Sequence, residues 1–528
     1  MSAVVQYEFL VLLLILIVVL ELVARRFRFP PAAAFILGGG AVALIPGVPT
    51  LTINPELVMV IFLPPLLMNG AYFTVWREFR SNFSGIISLA IGAVAFTTLA
   101  VGVAAKALVP ELPWAVCFAL GAIVSPPDAV AAGAILEKLQ LPARLNALLQ
   151  GESLLNDAAG LVLFRIAIAS ALTGAFSATQ AVGSLFLLSI GGAAVGLAVG
   201  QLGLMVMRRL RESDLIITAS LLLPAIAYIG GERLHVSGVI ATVTTGLLLG
   251  WRQHHDFSAA TRIRSQAFWR VMVFLLESIV FILIGLSLRG VLERMGPLQD
   301  VGHTLLLPVL GVTCVVIASR FVWLYGSDIV LRVVRRLGWA QQREPSFRIA
   351  TIMGWAGMRG VVTLVVALSV PETLPGRDFL LVCAFAVILV TVLLQGTTLG
   401  PLIKYMKVTG ARERKLHQES EDYAWMRMTE AQCQAISAVS RQADGTERHP
   451  RLLDQFRHRA LVAAQAVHDR DNHKPIKNEH YTAMIAAIGA GRAEALRMHA
   501  SGEIHDRVLR DLEHELDLQQ LVAESHLN

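Results

Sequence analysis

Apolar runs of about twenty residues, the length that spans a hydrocarbon core, recur along this chain as far as position 406. They predict about thirteen spanning segments. These lie near 8–24, 31–46, 54–73, 83–108, 113–135, 145–172, 181–207, 214–230, 236–250, 267–288, 303–331, 348–370 and 378–404. From Lys407 the pattern turns charged and polar. Residues 411–441 and 484–522 keep helical periodicity without a spanning run, and residues 442–450, with Gly, Asp and Pro, form a break. The pattern predicts an all-α polytopic membrane domain, residues 1–406, and a mainly helical soluble domain, residues 407–528.

Two spanning segments interrupt their own pattern. The fifth, 113–135, carries Ser125-Pro126-Pro127-Asp128 at its middle. Consecutive prolines remove backbone donors and push the preceding residue out of helical geometry, so this helix should break. The twelfth, 348–370, carries Gly354, Gly357 and Gly360 around Arg359, which predicts a second loosened helix. Lying seven segments apart, the two cross in opposite directions, as inverted-topology repeats require. Interrupted segments at matching positions of two halves point to a transporter's binding site.

The sixth segment holds the densest polar stretch, Gly151-Glu152-Ser153-Leu154-Leu155-Asn156-Asp157, inside a run otherwise largely apolar from Leu145 to Leu172. Glu152 with Asn156, and Ser153 with Asp157, are four apart and share one side of a helix. Ionisable groups at membrane depth are costly and mark function by default. This stretch can face the break at Asp128. Asp128, Asp157, Ser153 and freed carbonyls offer hard oxygen ligands, suited to a small hard cation or a proton and unsuited to anions or soft metals. Desolvation favours the protonated form of a carboxyl, so protons and cations compete for it. A carboxylate that holds one or the other, never both, couples their movements.

Composition and charge sharpen the picture. Of 528 residues, 55% are apolar and 16% charged, which excludes an ordinary soluble enzyme of this length. The net charge of +6 lies in short clusters between apolar runs and is not a nucleic-acid face. Alternate loops carry most of it: Arg25, Arg26 and Arg28; Arg77 and Arg80; Lys138 and Arg144; Arg208, Arg209 and Arg211; Arg252, Arg262 and Arg264; Arg332, Arg335, Arg336 and Arg343. Cations stay on the cytoplasmic side, which predicts an outside N-terminus, a cytoplasmic C-terminus and an odd number of crossings. The same rim can attract anionic membrane lipid. The first apolar run lacks a preceding basic residue and a small-residue cleavage pattern, so it reads as a spanning helix with Glu21 near its inner end. Cys117, Cys314, Cys383 and Cys433 are scattered, with no metal or disulfide spacing. No enzyme chemistry or cofactor is indicated.

The Glu-Ser-Leu-Leu-Asn-Asp string resembles the signature of the monovalent cation:proton antiporter-1 family, the sodium/proton exchangers of bacteria and animals. Leu63-Pro64-Pro65-Leu66-Leu67, Phe274-Leu275-Leu276-Glu277-Ser278 and Gly357-Met358-Arg359-Gly360 resemble its further motifs, in the expected order. The resemblance covers the whole membrane part. It implies that Asp157 alternates between cation and proton and that Asn156 orients it. Electrogenic relatives place a second Asp at that position, so exchange is expected to be electroneutral. Ser153 and Asp128 would complete the coordination, and Glu152 would act through water or by pairing with Arg359. Glu277 and Arg320 would be structural or gating partners. The transported ion would be Na+, K+ or Li+ against H+, in the bacterial inner membrane, by a homodimer. The chain departs from the family twice: Pro127-Asp128-Ala129 stands where Thr-Asp-Pro is common, and Asn69 stands where an acid often follows the Pro-Pro motif.

Two other classes compete. A cation channel also needs intramembrane acids, but not a proton-tuned carboxylate or inverted broken helices. An intramembrane aspartyl protease using Asp128 and Asp157 would carry a Gly-x-Gly-Asp string, which is absent.

Overall fold

The structure, a computed structural model, describes residues 3–27, 29–45, 55–128, 133, 141–174, 178–290, 305–337, 346–408, 411–441, 447–468 and 470–527. The chain divides into two compact units, Met1–Gly410 and Ala411–Asn528.

The first unit is built from helices. In chain order they are α1 (Ala3–Phe27), α2 (Pro31–Ala43), α3 (Pro55–Tyr72), α4 (Trp76–Ser81), α5 (Phe83–Leu108), α6 (Trp114–Val124), α7 (Ala143–Thr173) and α8 (Ala178–Met207). Then come α9 (Ser213–Arg233), α10 (Gly238–Asp256), α11 (Ala259–Leu286), α12 (Leu306–Arg336), α13 (Phe347–Trp355), α14 (Val361–Leu368) and α15 (Arg377–Met406). Among the described residues, eight helices are long and apolar enough to cross a membrane, and three shorter apolar helices accompany them. Apolar side chains such as Leu12, Ile15, Val18 and Leu22 on α1, and Phe186, Leu187 and Ile190 on α8, stand exposed. Hydrocarbon is the solvent that tolerates such faces.

Small residues let the backbones approach. A Cβ on Gly39 of α2 would collide with the Ile282 backbone of α11, and one on Gly285 would collide with Ile36. Close packing of this kind replaces the hydrophobic drive that is missing inside lipid.

Both expected breaks are present. Helix α6 stops at Val124 with Ser125 as its cap, and Pro126–Asp128 are not helical; the continuation of the predicted segment over 129–135 lies, except for residue 133, outside the described residues. Between α13 and α14 the chain unwinds over Ala356–Gly360. Protein surrounds both. Val116, Leu120, Ile123 and Val124 of α6 and Leu380, Cys383, Val387 and Ile388 of α15 are almost wholly inaccessible. Freed backbone groups at membrane depth are tolerable only in such a setting. Two further irregularities were not expected: α5 has a π-helical stretch at Ser88–Ala93, and α15 has one at Thr391–Gln395.

The second unit is helical too: α16 (Ala411–Ser440), α17 (Pro450–His468), α18 (Arg470–Ala500) and α19 (Asp506–Ser525). Of the predicted break at 442–450, residues 442–446 lie outside the described residues. The His526 ring stacks on Tyr481 and meets Trp425 edge-on, tying the end of the chain to α18 and α16. At the α18–α19 turn, His499 Nε2 lies 2.5 Å from Asp506 Oδ1, and this hydrogen bond holds the exposed carboxyl below the usual carboxylate range.

Candidate functional site: two broken helices beside a polar helix

The polar stretch of α7 is inside the protein. Glu152, Asn156 and Asp157 are buried, and Ser153 is half-buried one turn before Asp157. Glu152 is held by Arg320 of α12 in a two-pronged ion pair: Nη1 donates to Oε1 at 2.6 Å and Nη2 to Oε2 at 2.9 Å. Arg320 Nε donates to the Met353 carbonyl of α13 at 3.0 Å. One guanidinium therefore ties α7, α12 and α13 together. The planar fork matches a carboxylate, and its third donor takes a carbonyl near the end of a broken helix.

The two interruptions meet. Asp128 N–H donates to the Met358 carbonyl at 2.6 Å, so one unwound segment hydrogen-bonds the other directly. Arg359 is almost fully buried, and its side chain donates from Nε to the Val124 carbonyl at 3.0 Å and from Nη1 to the Gly357 carbonyl. Its own N–H donates to Thr391 Oγ1 of α15 at 3.0 Å. Val124 ends α6 and Gly357 follows α13, so a cation sits where two helices present their negative ends. The Asp128 carboxylate lies against Gly360, the residue before α14, where a helix presents its positive end. A Cβ at Gly360 would occupy the carboxylate's place. The crossing is thus compensated by one cation and one anion drawn from the two breaks themselves.

The resemblance leads one to expect Glu152 to act through water or by pairing with Arg359; the structure gives it a different partner. Glu152 pairs with Arg320, not with Arg359, and among the described residues Arg359 makes no ion pair within 4.0 Å. Its Nε and Nη1 donate instead to carbonyls at the two breaks. Glu277 is half-buried on α11, which packs mainly on α2, and it pairs with neither arginine.

Asn156 Nδ2 donates to the Pro127 carbonyl at 2.6 Å, a group that the proline break sets free. Its Oδ1 is buried with no hydrogen-bond partner among the described residues. No described residue donates a hydrogen bond to the Asp157 carboxyl, and Asp128 is near enough to act on it electrostatically. Two carboxyls and an unused amide oxygen therefore converge beside the crossing. Like-charged carboxylates at close range call for a proton or a cation between them. All the donors are oxygen, which fits a hard cation carried as substrate. The structure brings Asp128, Asn156 and Asp157 together, places Ser153 beside them, and puts Glu152 in a structural pair.

Some participants were not foreseen. Thr391 and Gln395 of α15 are buried at the wall of the second break. Their signal is visible in retrospect as two polar residues, four apart, within the apolar run 378–404. Thr98 of α5 reaches Ser125 Oγ at 3.2 Å and braces the first break.

Helical architecture with two interrupted helices crossing next to buried carboxylates defines a carrier of small cations in the class of secondary transporters. Residues 11–405 match the family described as sodium/hydrogen exchanger, transmembrane, and the chain belongs to that family. A Na(+)/H(+) exchanger of Mycobacterium tuberculosis is 31% identical over 531 residues, covering 97% of this chain and 95% of its own. A sodium, potassium, lithium and rubidium/H(+) antiporter of Bacillus pumilus is 32% identical over 424 residues, 75% of this chain and 61% of its own. Among solved structures, the sodium proton antiporter MjNhaP1 of Methanocaldococcus jannaschii matches with a TM-score of 0.60 at 19% identity, covering 77% of this chain and 99% of that one. That likeness concerns the fold.

Proposed function

We propose that the protein exchanges Na+, or K+ or Li+, for H+ across the bacterial inner membrane by competition at Asp157. The observation that carries this reading is that Asp157, under the electrostatic influence of Asp128, and Asn156 Oδ1, without a partner among the described residues, lie on the helix that meets two touching helix breaks. In the cycle, a cation entering from one side binds the Asp157 carboxylate with Asp128 and Ser153. The proton that Asp157 held leaves to that same side. The loaded carrier then exposes the site to the other side, where a proton displaces the cation. Asn156 stays fixed by Pro127 and keeps its oxygen toward the site. With one titrating acid at the exchange position, one charge moves each way and the cycle is electroneutral. Family membership favours this antiport over a channel.

The same reading assigns thirteen crossings. The long helices would be supplemented by α2, α3, α6, α10 and the α13–α14 pair, with the N-terminus outside and the C-terminus inside. Positive loops support that orientation. Residues 407–528 would form a cytoplasmic regulatory domain, and the working unit would be a homodimer in contact with anionic lipid.

Exchange in everted vesicles, with Na+, K+ and Li+ compared at several pH values, tests the proposal. Cation addition should dissipate an imposed pH gradient, and an imposed voltage should leave the rate unchanged. Flux indifferent to the pH gradient would remove the antiport reading; a voltage-dependent rate would remove electroneutrality alone. Truncation after Lys407 should shift the pH profile of exchange while the membrane unit stays folded, and an identical profile would strip the tail of its regulatory role.

A further inference from the structure

The last membrane helix carries a polar group for which neither the fold nor the exchange site accounts. Gln395 is wholly inaccessible, and both its Oε1 and its Nε2 lack a hydrogen-bond partner among the described residues. A buried primary amide with nothing to bond costs stability that an apolar side chain of similar size would not. Its location is specific. Gln395 ends the π-helical stretch Thr391–Gln395, and such widened turns gather at functional places because they loosen the helical ladder.

The neighbours of Gln395 show what it faces. Thr391, four residues earlier, accepts the Arg359 N–H at 3.0 Å. Thr398, three residues later, accepts from Trp355 Nε1 at 2.8 Å. A methyl group on Gly396 would lie 3.3 Å from the Met358 sulphur. Residues 391, 395 and 398 follow the i, i+4, i+7 spacing of one helix face. Thr391 meets the backbone of Arg359 and Thr398 the indole of Trp355, so Gln395 falls between these two contacts along α15. By segment order, α15 stands to this second break as α7 stands to the first. On α7, Asn156 already spends its amide on the first break, at Pro127.

We infer that Gln395 is a positioning residue for the exchange cycle: its amide supplies hydrogen bonds to backbone groups of the unwound Ala356–Gly360 segment when that segment shifts as the site changes sides. The inference rests on the alternating-access reading above. In the present conformation, the carbonyls of Ala356, Gly357, Met358 and Gly360 accept from Met358 N–H, Arg359 Nη1, Asp128 N–H and Leu364 N–H. Sliding α13 and α14 relative to α6 must break the Asp128 to Met358 bond. A buried donor and acceptor already in place lowers the cost of that intermediate arrangement, and the same amide lies idle in the end state.

The test is Gln395→Met, an apolar replacement of similar length, in full-length protein. Vesicle exchange and the melting temperature of purified protein are read together. The expected result is a melting temperature equal to or above wild type, unchanged KM for Na+ and unchanged pH midpoint, with a maximal rate about tenfold lower. An unchanged maximal rate with a raised melting temperature would mean the amide is only a stability burden, and the inference falls. A KM raised in proportion to the lost rate would assign Gln395 to cation binding and equally overturn it. Should Gln395→Met not accumulate, Gln395→Asn, which shortens the stem and keeps the amide, is read the same way: a lower rate at unchanged KM is expected, and a wild-type rate overturns the inference. Failure of the underlying reading would show separately, as wild-type protein that does not couple cation flux to a pH gradient.

Discussion

Asp157→Asn is expected to reduce exchange of Na+, K+ and Li+ to the background of empty vesicles, while the purified protein melts no lower than wild type. The two halves of that result have separate causes. An amide cannot release a proton to an arriving cation or neutralise the cation's charge, so competition ends. The fold loses little, because Asp157 accepts no hydrogen bond from any described residue and only shares its surroundings with Asp128. Replacing one of two facing acids by a neutral isostere removes like-charge repulsion, which argues for equal or greater stability. Exchange is read by dequenching of a pH-sensitive dye on cation addition, and stability by thermal melting in detergent. Normal-rate exchange by the variant would show that another carboxylate carries the proton. A large fall in melting temperature would show that Asp157 is a structural partner.

Local chemistry makes the breaks and the polar stretch legible in the sequence itself. Pro126 and Pro127 cannot continue a helix, and α6 ends at Val124, just before them. Gly357 and Gly360 lie within the second gap, and a side chain at Gly360 would take the space of the Asp128 carboxylate. Burial on α7 is not confined to one side: Asp157 lies about 140° round the helix from Glu152, and Leu154 and Ala158–Gly160 are buried with them. Pairing across the fold is not legible. Arg320 and Arg359 both sit in late apolar segments, and nothing in the spacing says which of them meets Glu152. That choice depends on how α7, α12 and α13 dock. Nor can a sequence show that Arg359 is satisfied by carbonyls, because backbone acceptors appear only once the helices have broken. Gln395 escapes notice for a related reason: one amide in a long apolar run looks ordinary until both of its polar atoms are seen to lack partners among the described residues.

The Glu152–Arg320 pair carries the second large effect, on stability. Arg320→Met should destabilise the membrane unit by about 3–5 kcal/mol, because it strands a buried carboxylate. Glu152→Leu should cost a similar amount by stranding the guanidinium, although the bond from Arg320 Nε to Met353 survives and should soften the loss. The double variant Glu152→Leu with Arg320→Met should recover to within about 1–2 kcal/mol of wild type, since a well-packed apolar pair replaces two desolvated charges without leaving either alone. Unfolding in mixed micelles across this cycle gives the coupling directly. Single losses that add in the double variant would mean the pair is not a unit, despite donor–acceptor distances of 2.6 and 2.9 Å. The exchange rate of the recovered double variant carries separate information. If Arg320 and Glu152 only brace α7 against α12 and α13, Asp157 should keep its KM for Na+; a changed KM in a protein of restored stability would give the pair a part in cation binding itself.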